Sequence, residues 1–120
     1  MKAINLKPFN LEDRTFKFAQ RCKNFTLNVQ KTTANHEYNI QLIRSSGSTA
    51  ANYIEANEAL SKKDFVHRIK ICRKEAKESS LWLNLIDTGD NEKLKNEKHN
   101  LIQESTELIK IFTSIIVKSE

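Results

Sequence analysis

The chain has 120 residues with only 2 Gly and 1 Pro, too few chain breakers for the tight turns of an all-β fold, so a few long helices are expected. Hydrophobic residues make up 38% and charged residues 29%, which supports one core beneath a heavily charged surface. The net charge of +5 favours anionic partners such as RNA, DNA or acidic protein surfaces, and the alternative is charge that serves solubility alone.

Residues 1–10 are expected to form an N-terminal extension without the apolar segment of a secretory signal. No apolar run in the sequence approaches the roughly 18 residues that a membrane span needs. Cys22 and Cys72 stand far apart without a neighbouring ligand motif, so both are expected to be reduced core residues. These features predict a cytoplasmic protein that does not enter a membrane.

The first predicted helix spans residues 11–31. Pro8 blocks a helix upstream, Asn10 is a suitable N-cap, and Glu12 and Asp13 place acidic charge in the first turn. Its predicted core stripe is Leu11, Thr15, Phe18, Cys22, Phe25 and Val29.

The second predicted helix, residues 34–59, has unusually small and polar side chains on its expected core side. That side is interpreted as His36, Asn39 or Ile40, Ile43, Ser46 or Gly47, Ala50 and Ile54. Gly47 and the serines beside it have poor helix propensity, so a break there is the alternative. A continuous helix is preferred because the apolar spacing continues to Ala59.

The third predicted helix spans residues 62–87 and begins with a capping signal, Ser61 followed three residues later by Asp64. Its core stripe is Phe65, Ile69, Cys72, Ala76, Ser79, Leu83 and Ile86. Residues 88–90 supply a turn. The fourth predicted helix, residues 91–118, carries two adjacent heptad rows: Leu94, Leu101, Leu108 and Ile115, and Ile102, Ile109 and Ile116. Short connections between long helices predict an all-α, antiparallel up-down-up-down four-helix bundle, with residues 1–120 as a single domain.

The outer side of the third helix carries the strongest concentration of positive charge. Lysines recur there opposite the core stripe at helical spacing, and such a stripe is typical of contacts to phosphate. The candidate nucleic-acid-binding residues, including two on the first helix, are Lys63, Arg68, Lys70, Arg73, Lys74, Lys77, Lys17 and Arg21. A solvated helix face without any partner is the alternative.

Farther along the same helix, Ile71, Leu81, Trp82 and Leu85 point away from the core stripe. A single bundle has no second core to bury them, so they predict an oligomer interface. The alternative is that Trp82 packs at the edge of the core of its own subunit.

A structural polar cluster is expected between the second and third helices, in which Glu75 and Glu78 meet Arg44 or another basic side chain. Its proposed members are Arg44, Ser48, Asn52, Glu55, Glu75 and Glu78. The sequence predicts no metal site and no cofactor: only Asp64 and His67 resemble one arm of a di-metal bundle, and His67 is on the outer side. Without a nucleophile motif or phosphate loop, no enzymatic activity is expected.

Several short motifs from Arg44 to Ile86 follow one another in a recognisable order. They are Arg-Ser-Ser-x-Ser from residue 44, Asn52 with Glu55, Ser-x-Lys-Asp-Phe at 61–65, and Lys-Glu-Ala-x-Glu at 74–78. This segment resembles the bacterial family of 23S rRNA intervening-sequence proteins, although Ala56 and Asn57 stand where many members have a glycine.

The resemblance implies a four-helix bundle without enzymatic activity that forms ring-shaped homo-oligomers, with a pentamer expected. The accessory variability determinant protein of diversity-generating retroelements is similar, which implies RNA or DNA and a reverse transcriptase as possible partners. We therefore expect a non-enzymatic, basic homo-oligomer that binds nucleic acid. The alternative is a structural or adaptor oligomer that binds a protein partner through its apolar outer patch, with no role in nucleic-acid binding.

Overall fold

The computed structural model describes residues 10–120, which form four α-helices in an antiparallel bundle. The helices are α1 (Leu11–Asn28), α2 (Thr33–Asn57), α3 (Lys62–Leu85) and α4 (Glu92–Lys118). Both α1 and α3 pack against α2 and α4, so α1 and α3 are diagonally opposite. The described part of the chain extends 48 Å along the bundle and 24 by 19 Å across it. The predicted all-α, up-down-up-down architecture is confirmed.

Side-chain caps fix the beginnings of three helices. The side-chain oxygens of Thr32, Ser61 and Asn91 each accept a hydrogen bond from the backbone N–H three residues later, at 3.0, 3.1 and 3.0 Å. Asn10 occupies the predicted N-cap position and α1 begins at Leu11 as expected, but the Asn10 side chain does not cap the helix. Its backbone is left-handed, with φ 44°, and the side chain makes no capping hydrogen bond, because capping requires an extended backbone at this position.

The core stripes predicted for α1, α3 and α4 are confirmed. Every residue of the α1 and α3 stripes is buried, and so is the heptad row that begins at Leu94. Of the second α4 row, Ile116 is buried, while Ile102 and Ile109 are half-buried against the core. Cys22 and Cys72 are free thiols, both fully buried, in agreement with their expected place in the core.

The predicted core side of α2 is wrong. Ile40, Ile43 and Ile54 are 49%, 45% and 50% exposed, and His36 and Gly47 are also exposed. Ala50 is half-buried, and only Ser46, one of the two alternatives at its position, is buried. The side of α2 that faces the core is instead formed by Asn35, Leu42, Ser45, Ser46, Thr49, Tyr53 and Ala56.

The physical reason is that the hydroxyl groups on the buried side of α2 are satisfied within the helices. Ser45 and Thr49 donate to backbone carbonyls one turn earlier, and the Ser45 and Ser79 hydroxyls lie 2.7 Å apart across the α2–α3 boundary. Hydroxyls that are hydrogen-bonded in this way can be buried at little cost, and their small size allows α2 and α3 to approach closely. The preferred continuous helix through Gly47 is confirmed.

The first three helices end two or three residues earlier than the sequence indicated, at Asn28, Asn57 and Leu85. Gly89, with φ 61°, occupies the left-handed region in the connection to α4, where a glycine is favoured. Residues 1–9 of the predicted N-terminal extension lie outside the described residues. Among the described helices, none combines the length and the hydropathy that a membrane span requires.

Candidate nucleic-acid interface

Four lysines lie on the outer side of α3, and we call this surface the lysine face: Lys63, Lys70, Lys74 and Lys77. All four are exposed. They lie there because α3 buries its apolar stripe against α2 and α4, which turns residues half a helical circuit away towards solvent. From Lys63 to Lys77 the face runs about 21 Å along the helix axis, at 1.5 Å per residue.

Three members of the lysine face have no ion-pair partner within residues 10–120: Lys63, Lys70 and Lys77. The Nζ atom of Lys74 is 3.9 Å from Oε1 of Glu75, a long contact that screens it weakly. A rigid helix therefore displays a row of ammonium groups, each with three hydrogen-bond donors, towards an anionic partner.

The two arginines predicted beside these lysines are engaged within the subunit. Arg68 donates from NH1 to Oδ1 of Asn52 on α2, at 3.0 Å. Arg73 donates from NH1 to the Thr113 hydroxyl on α4, at 3.4 Å. Both side chains are half-buried, so they flank the lysine face and brace α3 against its two neighbours.

The two candidate residues on α1 are not part of this surface. Because α1 is diagonal to α3, Lys17 and Arg21 lie on the other side of the bundle. Each also has its own partner: Lys17 Nζ is 2.9 Å from Asp13 Oδ2, and Arg21 NH2 is 2.9 Å from Glu97 Oε1. The structure thus separates the predicted basic set into one contiguous face and two ion-paired residues elsewhere.

The predicted polar cluster between α2 and α3 is present as two adjacent groups. In the first, the Arg44 guanidinium is 3.1 Å from Glu78 Oε1 and 3.6 Å from Glu75 Oε2. Glu75 is only 5% exposed, and its Oε2 has no hydrogen-bond partner, so Arg44 provides the positive charge nearest to this buried oxygen. This group holds the middle of α2 to the middle of α3.

The second group contains Ser48, Asn52 and Arg68. Asn52 donates from Nδ2 to the Ser48 carbonyl and hydroxyl, at 2.9 and 3.0 Å, and accepts from Arg68. Sequence reasoning missed the place of Arg68 here, although its position on the flank of the α3 core stripe was the available signal. Glu55, a proposed member of the cluster, is exposed and forms no hydrogen bond or ion pair with either group.

The four apolar residues predicted on the outer side of α3 fall into two exposed and two half-buried residues. Leu81 and Leu85 are 49% and 44% exposed, and they continue the line of the lysine face towards the end of the helix. Trp82 is half-buried against the core, where its ring stacks on Tyr38 of α2 with centroids 6.0 Å apart. Ile71 is also half-buried. The exposed apolar surface on α3 is therefore formed chiefly by the two leucines.

The remaining reactive groups are buried or dispersed. Burial raises the pKa of Cys22 and that of Cys72 to about 12, so both thiols stay protonated near neutral pH. Within residues 10–120, no group of three or more His, Cys, Asp or Glu side chains has a geometry that could hold a metal ion.

Comparison with known proteins gives a family match over most of the chain. The family model of the 23S rRNA-intervening sequence protein matches residues 9–114. Comparison with curated proteins finds no match. Among solved structures, the chain is similar to the crystal structure of a protein of unknown function from the S23 ribosomal protein family of Bacteroides thetaiotaomicron. The TM-score is 0.69 and the identity 30%, and the match covers 88% of this chain and 96% of that chain.

Proposed function

This chain belongs to the 23S rRNA-intervening sequence protein family, and we propose that it is a non-enzymatic homo-oligomeric bundle that binds nucleic acid. The observation that carries the proposal is the lysine face of α3, where Lys63, Lys70 and Lys77 are exposed without an ion-pair partner among the described residues. Assembly of several copies would repeat this face, so that contacts which are weak individually combine into useful avidity.

The contacts are directed to the phosphate backbone rather than to bases. Lysine presents a point charge, whereas bidentate recognition of guanine depends on arginine geometry. Arg68 and Arg73, the arginines nearest to the lysine face, already donate to Asn52 and Thr113. We therefore propose binding that depends little on sequence, with RNA or DNA duplex as the ligand class.

The experiment is filter binding of the full chain to two duplexes of unrelated sequence across a salt series. Each phosphate neutralised contributes about −0.9 to the slope of log affinity against log salt, so engagement of three lysines predicts a slope of about −3. The two duplexes should bind equally well. An affinity that does not change between low and moderate salt would overturn the proposed role.

A second candidate is a structural or adaptor oligomer that binds a protein partner. The exposed Leu81 and Leu85 favour it, because exposed leucines that adjoin each other on a helix mark contact surfaces. In this case the lysines serve solubility alone. Substitution of both leucines would then abolish assembly or partner capture, and substitution of the lysines would have no effect on either.

A further inference from the structure

A second apolar surface lies on the outer side of α1 and α2, away from α3. We call it the α1/α2 face; it consists of Phe16, Leu27, Ile40, Ile43 and Ile54. Phe16 and Leu27 are 59% and 69% exposed, and the three isoleucines are about half exposed. Single exposed hydrophobic residues are ordinary, but a contiguous group of them marks an interaction site.

The members of the α1/α2 face are neighbours in the structure. Phe16 of α1 lines one shallow groove together with Ala50 and Ile54 of α2. Near the other end of the two helices, the Asn39 side chain donates to the Thr26 carbonyl at 3.4 Å, and the next residues along each helix are Ile40 and Leu27. The face therefore extends along most of the boundary between α1 and α2.

The α2 part of the face is a regular stripe. Ile40, Ile43, Gly47, Ala50 and Ile54 follow one another at steps of three and four residues, which places them on one side of the helix. Gly47 leaves the middle of the stripe open, since no atom lies within 4 Å of the position that a Cβ would occupy. A side chain from another helix can enter at this point.

The size of the face suits a protein contact. Five large apolar side chains at about half exposure offer on the order of 400 Å² of apolar surface. That is about half of the roughly 800 Å² that each partner buries in a standard interface, whose rim is polar.

The charge around the face identifies the partner. Glu12, Glu37, Glu55 and Glu58 are exposed around the face without an ion-pair partner among the described residues. The basic neighbours are Lys23 and Arg44, and Arg44 is already paired with Glu75 and Glu78. Two such faces placed together would bring carboxylates against carboxylates. The outer side of α3 is complementary, since it joins the exposed Leu81 and Leu85 to a row of lysines.

We infer that the α1/α2 face of one copy receives the outer side of α3 of a second copy, with Leu81 and Leu85 on the apolar stripe and Lys77, the nearest lysine, over the acidic rim. The inference rests on the homo-oligomer of the proposed function and deepens it, because it names the two unlike surfaces that meet in the contact, which is therefore heterologous. Lys63 lies about 27 Å from Leu81 along α3, at 1.5 Å per residue, and so stays available for phosphate.

The test is cross-linking between two single-cysteine additions, Ile43→Cys and Leu81→Cys, in otherwise unchanged chains. The native Cys22 and Cys72 are fully buried and do not compete for the reagent. The two variants are co-assembled after mild denaturation, refolded together and treated with a flexible bismaleimide. A matched control replaces Leu81→Cys by Leu60→Cys, since Leu60 is 92% exposed and belongs to neither face.

We expect a covalent dimer in the mixture of Ile43→Cys and Leu81→Cys, at least tenfold more abundant than in the Leu60→Cys mixture or in either variant alone. A dimer formed by Ile43→Cys alone would indicate a two-fold symmetric contact and overturn the inference. The inference would also be overturned if the protein assembles and Ile43→Cys is protected from maleimide, but no mixed dimer forms. In that case a surface other than the outer side of α3 covers the α1/α2 face.

Sedimentation of the wild-type chain distinguishes a failure of the heterologous contact from a failure of the proposed homo-oligomer. A monomer at high concentration would remove the homo-oligomer and, with it, both the proposed assembly and the heterologous contact. A wild-type oligomer without the mixed dimer would remove the heterologous contact alone and leave the proposed function standing.

Discussion

The side chain of Asn35 at the start of α2 holds the backbone of Asp87 just beyond the end of α3. Asn35 Nδ2 donates to the Asp87 carbonyl at 2.9 Å, and the Asp87 N–H donates to Asn35 Oδ1 at 2.9 Å. The same Nδ2 group also donates to the carbonyl of Gln30 at 2.9 Å. One buried amide thus joins the α1–α2 connection to the α3–α4 connection at one end of the bundle.

Asn35→Ala should therefore destabilise the fold by about 2–4 kcal/mol, because Asn35 is 1% exposed and its loss leaves buried backbone groups without partners. Urea unfolding measures the effect, with an unchanged m-value expected. Asn28→Ala is the matched control: its Nδ2 donates to the Asn24 carbonyl on an exposed helix surface. The control should lose less than about 0.5 kcal/mol, and equal losses in the two variants would contradict the role of Asn35.

The Arg44–Glu75 pair is expected to stabilise the fold mainly because Arg44 compensates the charge of the buried Glu75 carboxylate. Arg44→Met should cost about 1–3 kcal/mol, since it removes the cation 3.6 Å from Glu75 Oε2. Adding Glu75→Gln should recover part of this loss, because a neutral amide is easier to bury than an uncompensated charge.

A double-mutant cycle measured by urea unfolding checks this coupling. Lys17→Met serves as the control, because its ion pair with Asp13 is largely exposed and should contribute under about 0.5 kcal/mol. Strictly additive losses for Arg44→Met and Glu75→Gln would show that the two side chains do not support each other.

The buried thiols predict a loss of stability at alkaline pH. Burial raises the pKa of Cys22 and that of Cys72 from 9.0 to about 12. As the pH rises above 9, the unfolded chain releases these protons while the folded chain retains them, so the stabilising contribution is complete below pH 9 and declines towards pH 12. The expected decline is roughly 1 kcal/mol per thiol for each pH unit above 9.

Urea midpoints of the wild type and of Cys22→Ala/Cys72→Ala, measured at several alkaline pH values, test this prediction. The variant starts from a lower stability, because its core has lost two sulfur atoms, but its stability should fall less steeply with pH. Parallel pH profiles for the two proteins would contradict it.

Sequence periodicity predicted three of the four helix faces and failed on α2. On α1, α3 and α4 the large apolar residues and the buried side coincide, so 3.6-residue spacing identifies the core. On α2, Ile40, Ile43 and Ile54 form a regular stripe that faces outwards, while Ser45 and Thr49 face the core. Periodicity cannot distinguish a core stripe from an apolar contact surface, since both have the same spacing.

The sequence predicted the position of a candidate site residue only where the geometry of a single helix determines the side on which that residue lies. The positions of the lysine face follow from the α3 core stripe, and they are exposed as expected. The placement of Lys17 and Arg21 depends on which helices are diagonal, which a single sequence does not encode. The hydrogen bond from Arg68 to Asn52 depends on the direction of a long side chain, which periodicity does not determine.

The exposed leucines of α3 predict a specific effect on assembly. Leu81→Lys/Leu85→Lys should shift the chain towards its 13.9 kDa monomer in sedimentation velocity, with a melting temperature within a few degrees of wild type. Leu60→Lys, at the most exposed large apolar side chain among the described residues, is the control and should remain assembled. A double variant that sediments like the wild-type oligomer would contradict a subunit contact at these residues.

Binding of a nucleic-acid duplex by two charge-matched variants tests the central claim most directly. Lys63→Gln/Lys70→Gln removes two lysines of the lysine face, and Lys31→Gln/Lys93→Gln removes two exposed lysines elsewhere, so both variants change the net charge equally. The first should bind a duplex at least about tenfold more weakly at low salt, with a salt slope shallower by about 1.8, while the second should stay within about twofold of wild type. Equal weakening of the two variants, or unchanged binding by the first, would show that the lysine face of α3 is not the nucleic-acid-binding surface.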